Sequence, residues 1–135
     1  MDLKIDQTFK ILEASLNGSA TRQKLIAHNI SNLNTPGFKS YLVDVEANIK
    51  DLVAGQQNQL QLKTSSPRHI SGGNNSIETK ITRDTSTGRS ADGNNVDLAD
   101  EMVAMAKNNI YYNGALNQLN KKIAMLKYVI SDGRG

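Results

Sequence analysis

The last third of the chain carries an apolar repeat that leaves little choice of fold. Leu98, Met102, Met105, Asn109, Tyr112, Leu116, Leu119, Ile123, Leu126 and Ile130 follow one another at alternating steps of four and three residues. Such spacing lays a single stripe along an α-helix, and Asn109 is its only clearly polar member. Asp97, or Asn95 just before it, can cap the start, and Asp100 and Glu101 place negative charge where the helix dipole favours it. Lys121, Lys122 and Lys127 suit the other end, and Gly133 follows the last stripe residue, so a helix is predicted over residues 96–131. A rod of about 50 Å, at ~1.5 Å per residue, cannot cover its own stripe. It needs another helix.

The N-terminal segment supplies one with the same period. Ile5, Phe9, Leu12, Leu16, Ser19, Gln23, Ile26, Ile30 and Leu33 share a stripe, which predicts a helix over residues 5–33. Gly18 lies off this stripe and Gly114 off the other; each is either tolerated flexibility or a place where a neighbouring backbone comes close. At the other seam, Asn109 is expected to be a buried polar residue that trades stability for a single register.

Residues 34–94 differ in character. Val45, Ile49, Leu52 and Val53 predict a short amphipathic helix ended by Gly55. "LQLKT" (60–64) and "SIETKITR" (76–83) alternate as strands do and predict one small hairpin at most. "SSPRHISGGNNS" and "DTSTGRSADGNN" are too polar to repay their ordering entropy alone and are expected to be mobile. The fold class is therefore mainly α: one elongated domain over residues 1–135, its terminal helices packed as an antiparallel coiled-coil pair around a loop-rich centre. Such a hairpin leaves each apolar stripe half covered, as in a subunit that completes its burial with partners.

Composition narrows the chemistry. Only 38% of the 135 residues are hydrophobic and 4% aromatic, so a large self-sufficient core is excluded. The net charge of +3 comes from 16 basic and 13 acidic residues, interspersed, with few aromatics to stack on bases, and nucleic-acid binding has little support. No cysteine is present, which removes disulfides and thiolate chemistry. The start, "MDLKIDQTFKILEASLNG", offers no signal-peptide core and no apolar run is long enough to span a bilayer, so neither Sec export nor bilayer insertion is expected.

No phosphate-binding, dinucleotide-binding, zinc-protease or serine-hydrolase motif occurs. His28 and His69 are too few for a histidine metal site. Asp97, Asp100 and Glu101 could form a carboxylate cluster, but they sit where a helix start calls for negative charge. No catalytic, cofactor-binding or metal residues are expected, and the chain reads as no enzyme.

One stretch exceeds what a helix stop needs: "HNISNLNTPGFK", residues 28–39. Three asparagines can satisfy the carbonyls of an ending helix, Pro36 disfavours helix at Thr35, Gly37 permits a sharp turn, and Phe38 can anchor the departing chain. Together with "VDLADEMVAMAKNNIYYNGALNQLNKKIAMLKYVI", this stretch resembles the axial proteins of the bacterial flagellum, the family of rod, hook and hook-associated proteins. The family signature reads here as Asn29, Ile30, Ser31 and Asn32, then Thr35, Pro36, Gly37 and Phe38, with Ser31 where alanine is commoner. The short chain, "SSPRHIS" and "DGNNVDLADEM" are similar to the proximal rod members.

The resemblance implies a structural subunit of the proximal rod that transmits motor torque and surrounds the export channel. Its location would be the basal body in the periplasm, reached through the flagellar type III apparatus without a cleaved signal. Implied partners are other copies, rod proteins of the FlgC, FlgF and FlgG types, the adaptor FliE, the MS-ring and the export gate. The implied assembly interface is the two stripes, with the amide cluster lying beneath neighbouring subunits. A cytoplasmic coiled-coil adaptor or chaperone of the export system is the alternative, and a small envelope hydrolase a more distant one.

Overall fold

Two long helices form where the heptad spacing demands them, and they lie antiparallel. The computed structural model describes residues 2–57, 80–87 and 91–131. In chain order these form α1 (Asp2–Ser31), β1 (Tyr41–Val43), α2 (Val45–Gln57), β2 (Ile81–Arg83) and α3 (Leu98–Ile130). Both α1 and α3 sit within two or three residues of the predicted bounds; Leu33 falls in the turn after α1. Asp97 caps α3 with extended backbone, accepting from the amides of Ala99 and Asp100.

The small central sheet is present as one antiparallel pair of strands. β2 coincides with the end of "SIETKITR", but its partner is β1, paired antiparallel with Leu42 opposite Thr82. Residues 60–64 lie outside the described residues, as does "SSPRHISGGNNS". β1 escapes a periodicity search because it is three residues long and follows directly on a turn. The predicted central helix is present as α2 and runs two residues past Gly55.

α2 docks on α1 through a small-residue notch. Val45, 4% exposed, fills the space above Gly18, where a Cβ would stand 2.5 Å from its Cγ1. A bidentate fork from Arg22 to Glu46, with a further bond from Arg22 to the Val43 carbonyl, holds the first turn of α2 in place. Arg22 thereby keeps the Glu46 carboxyl below its ordinary value. Gly18 is thus a site of close approach by a side chain, whereas a Cβ at Gly114 would meet open space.

The interior is small and largely polar. Among the described residues the buried apolar side chains are Ala14, Ile26, Val43 and Val45, against Ser19, Asn29, Ser40, Asn94, Glu101 and Asn108. The α3 line turned toward α1 includes Glu101, Met105, Asn108, Ala115, Leu119 and Leu126, all buried or half-buried. The predicted stripe is therefore split lengthwise. Met105, Leu119 and Leu126 lie against α1, while Met102, Leu116, Ile123 and Ile130 are exposed.

Asn109 is exposed, contrary to the expectation, and the buried amide is its neighbour Asn108. Two polar contacts to α1, described below, turn the helix by this one position. They fix its rotation more firmly than the apolar stripe could, because neither tolerates displacement.

The two glycines separate experimentally. Gly18→Ala is expected to destabilise the chain by about 1–3 kcal/mol through overpacking against Val45. Gly114→Ala should stabilise it by up to about 1 kcal/mol through helix propensity alone. Denaturant unfolding followed by circular dichroism checks both, and restoration of Gly18→Ala by a second Val45→Ala change identifies the clash.

Candidate assembly clasp

α1 ends in a cluster of side-chain bonds that reach across the whole molecule. The Ser31 hydroxyl and the Asn32 amide both donate to the His28 carbonyl. The Phe38 amide donates to the Thr35 carbonyl at 3.2 Å, closing a turn with Pro36 second and Gly37 third at φ 69°. That is the type II pattern, which places glycine where φ must be positive. Phe38 then packs near the His28 and Tyr41 rings, with centroids 5.6 and 6.1 Å away. Arg83 lies 5.8 Å over the Tyr41 ring.

Asn29 is the centre of the arrangement and is 1% exposed. Its Nδ2 donates to the Tyr41 carbonyl at 3.0 Å and to Glu101 Oε1 at 2.9 Å, while its Oδ1 accepts from the Tyr41 amide at 2.9 Å. One amide thus joins α1, β1 and α3. Both of its N–H groups and its oxygen are engaged.

The complement to the signature comes from the segment before α3. Asn94, 3% exposed, points its Nδ2 at the carbonyls of Asn32, Leu33 and Thr35, at 3.0, 2.9 and 2.9 Å. All three carbonyls lie in the turns that follow α1. The Oδ1 of Asn94 accepts from the Val96 amide. Asn95 accepts from the Ser40 amide and donates to the Asp84 carbonyl, tying the start of β1 to the end of β2. Gly93, at φ 81°, faces Gly37 across the junction, and the Gly37 amide donates to the Asp92 carbonyl. The "DGNN" segment, expected to be mobile, is the second half of a clasp.

Glu101 also departs from expectation. It is not a solvated carboxylate complementing a helix dipole, since it is 9% exposed and bonded to Asn29. Burial raises its carboxyl above the ordinary value, the Asn29 bond opposes that, and the charge of Asp100 adds to it.

Two turns further along α3, Asn108 donates to the Ser19 carbonyl at 2.9 Å and to Gln23 Oε1 at 3.0 Å. Its Oδ1 is buried without a donor among the described residues. Such an orphan costs about 1–3 kcal/mol, the kind of sacrifice that fixes register at a helix seam.

The remaining expected residues sort by position. Ile26 is buried, Phe9, Leu12, Leu16, Ile30 and Leu33 are half-buried, and the Ile5 side chain lies outside the described part. Tyr112 is 39% exposed and Leu98 43%. The signature asparagines differ from expectation in their partners: Asn29 and Asn32 bond within this chain. Asn34 is exposed and has no hydrogen bond among those described. Sequence reasoning passed over Asn94 and Tyr41, although paired amides beside Gly93 are a visible sign of a carbonyl-reading loop.

A polar hollow of about 460 Å³ beside the clasp is lined by Asp84, Asn94, Asn95, Asp97 and Asp100, whose known contacts are those of caps and turns. No helix among the described residues is long and apolar enough to cross a membrane. Among the same residues no group of histidine and carboxylate side chains is arranged to hold a metal.

The family model described as "Flagella basal body rod protein" matches residues 12–39, the stretch that ends in the type II turn. The flagellar basal body rod protein FlgB of Bacillus subtilis is 29% identical over 127 residues, covering 94% of this chain and 95% of that protein. FlgB of Borreliella burgdorferi is 32% identical over 96 residues, or 67% of this chain and 71% of its own length. FlgB of Escherichia coli K12 is 27% identical over 134 residues, spanning 96% and 97%. Paired terminal helices closed by the signature turn define a rod protein of the flagellar basal body, a structural subunit and not an enzyme. Within that class the chain belongs to the FlgB family.

The clasp predicts unequal effects for similar asparagines. Asn94→Ala removes a donor from three carbonyls, two of which keep a backbone amide, and should destabilise the chain by about 1–3 kcal/mol. Asn34→Ala should change stability by less than about 0.5 kcal/mol. Denaturant midpoints of the two variants measure the difference.

Proposed function

We propose that this subunit builds the proximal rod by covering the outer face of α3 with neighbouring subunits, forming a torque-transmitting layer around the export channel. The observation that carries this reading is the large apolar surface on α3. Met102, Ile110, Tyr111, Ile123, Met125, Tyr128, Val129 and Ile130 are each between 49% and 82% exposed. Large apolar side chains exposed in such number along one helix are what an assembling protein presents. The row Met102, Leu116, Ile123 and Ile130 runs along the α1–α3 seam, so an incoming helix would extend a packing pattern already begun.

Residues 1–135 act in this reading as one elongated unit, its terminal helices ordering fully when neighbours arrive. The neighbours are other copies and rod proteins of the FlgC, FlgF and FlgG types. At the base the subunit meets the adaptor FliE, the MS-ring and the export gate. The chain reaches its site through the flagellar type III apparatus, with no cleaved signal. A chain without cysteines and with a small polar interior suits passage in an extended state.

Ile123→Lys tests the reading, because it places a charge on the outer row and leaves the α1-facing line untouched. The variant is expected to be secreted and to keep its helix content, yet to abolish swimming, since a lone charge in a closed interface is costly. Basal bodies from such cells, viewed by electron microscopy, should show rings without rods. Normal swimming by Ile123→Lys cells would remove the outer row from the interface. Rings bearing intact rods and hooks in cells lacking the protein would refute the rod role and favour the cytoplasmic adaptor.

A further inference from the structure

Glu101 is the buried titratable side chain among the described residues, and it sits at the point where α1, β1 and α3 meet. It accepts from the Asn29 amide and pairs with no cation among those residues. We propose that Glu101 makes this junction a pH-responsive clasp, tightest when its carboxyl is neutral. A neutral carboxyl keeps an acceptor for the Asn29 Nδ2 and no longer leaves a buried charge without a cation.

The charged groups around it do not reverse this preference. Asp100 on its own helix disfavours a further negative charge, and Asp97 is the cap of that helix. His28 on α1 is exposed and packs on the Phe38 and Tyr41 rings. Arg83 comes from β2, lies 5.8 Å over the Tyr41 ring and forms no ion pair with Glu101. The Arg22–Glu46 fork belongs to the α1–α2 contact.

The sign follows from linkage. Burial raises the Glu101 carboxyl above its ordinary value of 4.5, so the folded chain binds this proton more readily than the unfolded chain does. Its contribution is fully present below that ordinary value and is lost as pH rises through the raised one. Glu46 acts oppositely and in a lower window: its contribution is lost as pH falls through a value below 4.5. The clasp would order more readily in a compartment more acidic than the one where the chain is made. That consequence rests on the export reading above; the clasp's own pH response does not.

The test is denaturant unfolding of the purified full chain from about pH 7.5 to about pH 5, beside Glu101→Gln, which keeps the acceptor without the charge. The unfolding midpoint of the parent chain should shift upward on acidification. Glu101→Gln should start higher at the alkaline end and lose that shift, and a His28→Asn control should retain it. Parallel curves for the parent and Glu101→Gln would overturn the proposal. A second readout needs no variant: the Glu101 side-chain carboxyl carbon, followed by NMR, should titrate above the range of an ordinary glutamate. A midpoint at or below that range would also overturn it. Neither measurement depends on secretion or swimming, so failure here leaves the rod reading standing, and loss of the rod reading leaves the clasp.

Discussion

The structure depends on one buried side-chain amide. Asn29 offers two donors and an acceptor within a few ångströms, and all three are used, on the two backbone groups of Tyr41 and on Glu101. Aspartate could not donate, and glutamine would carry the same groups a methylene further out. With this amide in place the chain leaving α1 must return as β1, and α3 must approach at a set height and rotation. The Asn94 bonds to the end of α1, the Asn95 bonds across the sheet and the Asp97 cap complete the junction at the same end of the helix pair.

The packing reverses the usual arrangement of a small domain. Few large apolar side chains are buried among the described residues, while many on α3 face outward. Hydrogen bonds supply direction but little net stability, about 0.5–1.5 kcal/mol each, whereas apolar burial supplies most of the driving force for folding. In the rod reading proposed above, neighbours would supply the apolar burial that this chain leaves undone. This division suits a rod subunit, whose neighbours are always present in the finished structure.

The carboxylates show why position in a motif is a poor guide to role. Asp97, Asp100 and Glu101 lie within five residues at one helix start, where dipole arguments treat them alike. Asp97 is a cap. Glu101, one turn on, is rotated under α1 and becomes the buried acceptor of the clasp. Within the family signature, Asn29, Asn32 and the Thr35–Phe38 turn likewise form their bonds inside this chain.

The heptad spacing of α1 and α3 and the turn at Thr35-Pro36-Gly37 were legible in the sequence, because each is a local pattern with one physical meaning. The flagellar resemblance was legible for the same reason, carried by the signature and its matching C-terminal helix. Tertiary structure alone decided the rest. A stripe specifies which residues are apolar, not how far a helix is turned, and the turning was settled by Asn29 on Glu101 and by Asn108 on Ser19 and Gln23. These contacts bury Asn108 in place of Asn109 and push Met102, Leu116 and Ile123 outward. The pairing of β1 and the partners of Asn94 were decided there too, since the first joins residues about forty positions apart and the second about sixty. No local pattern encodes a partner that distant. Only the closed chain brings it within a hydrogen bond.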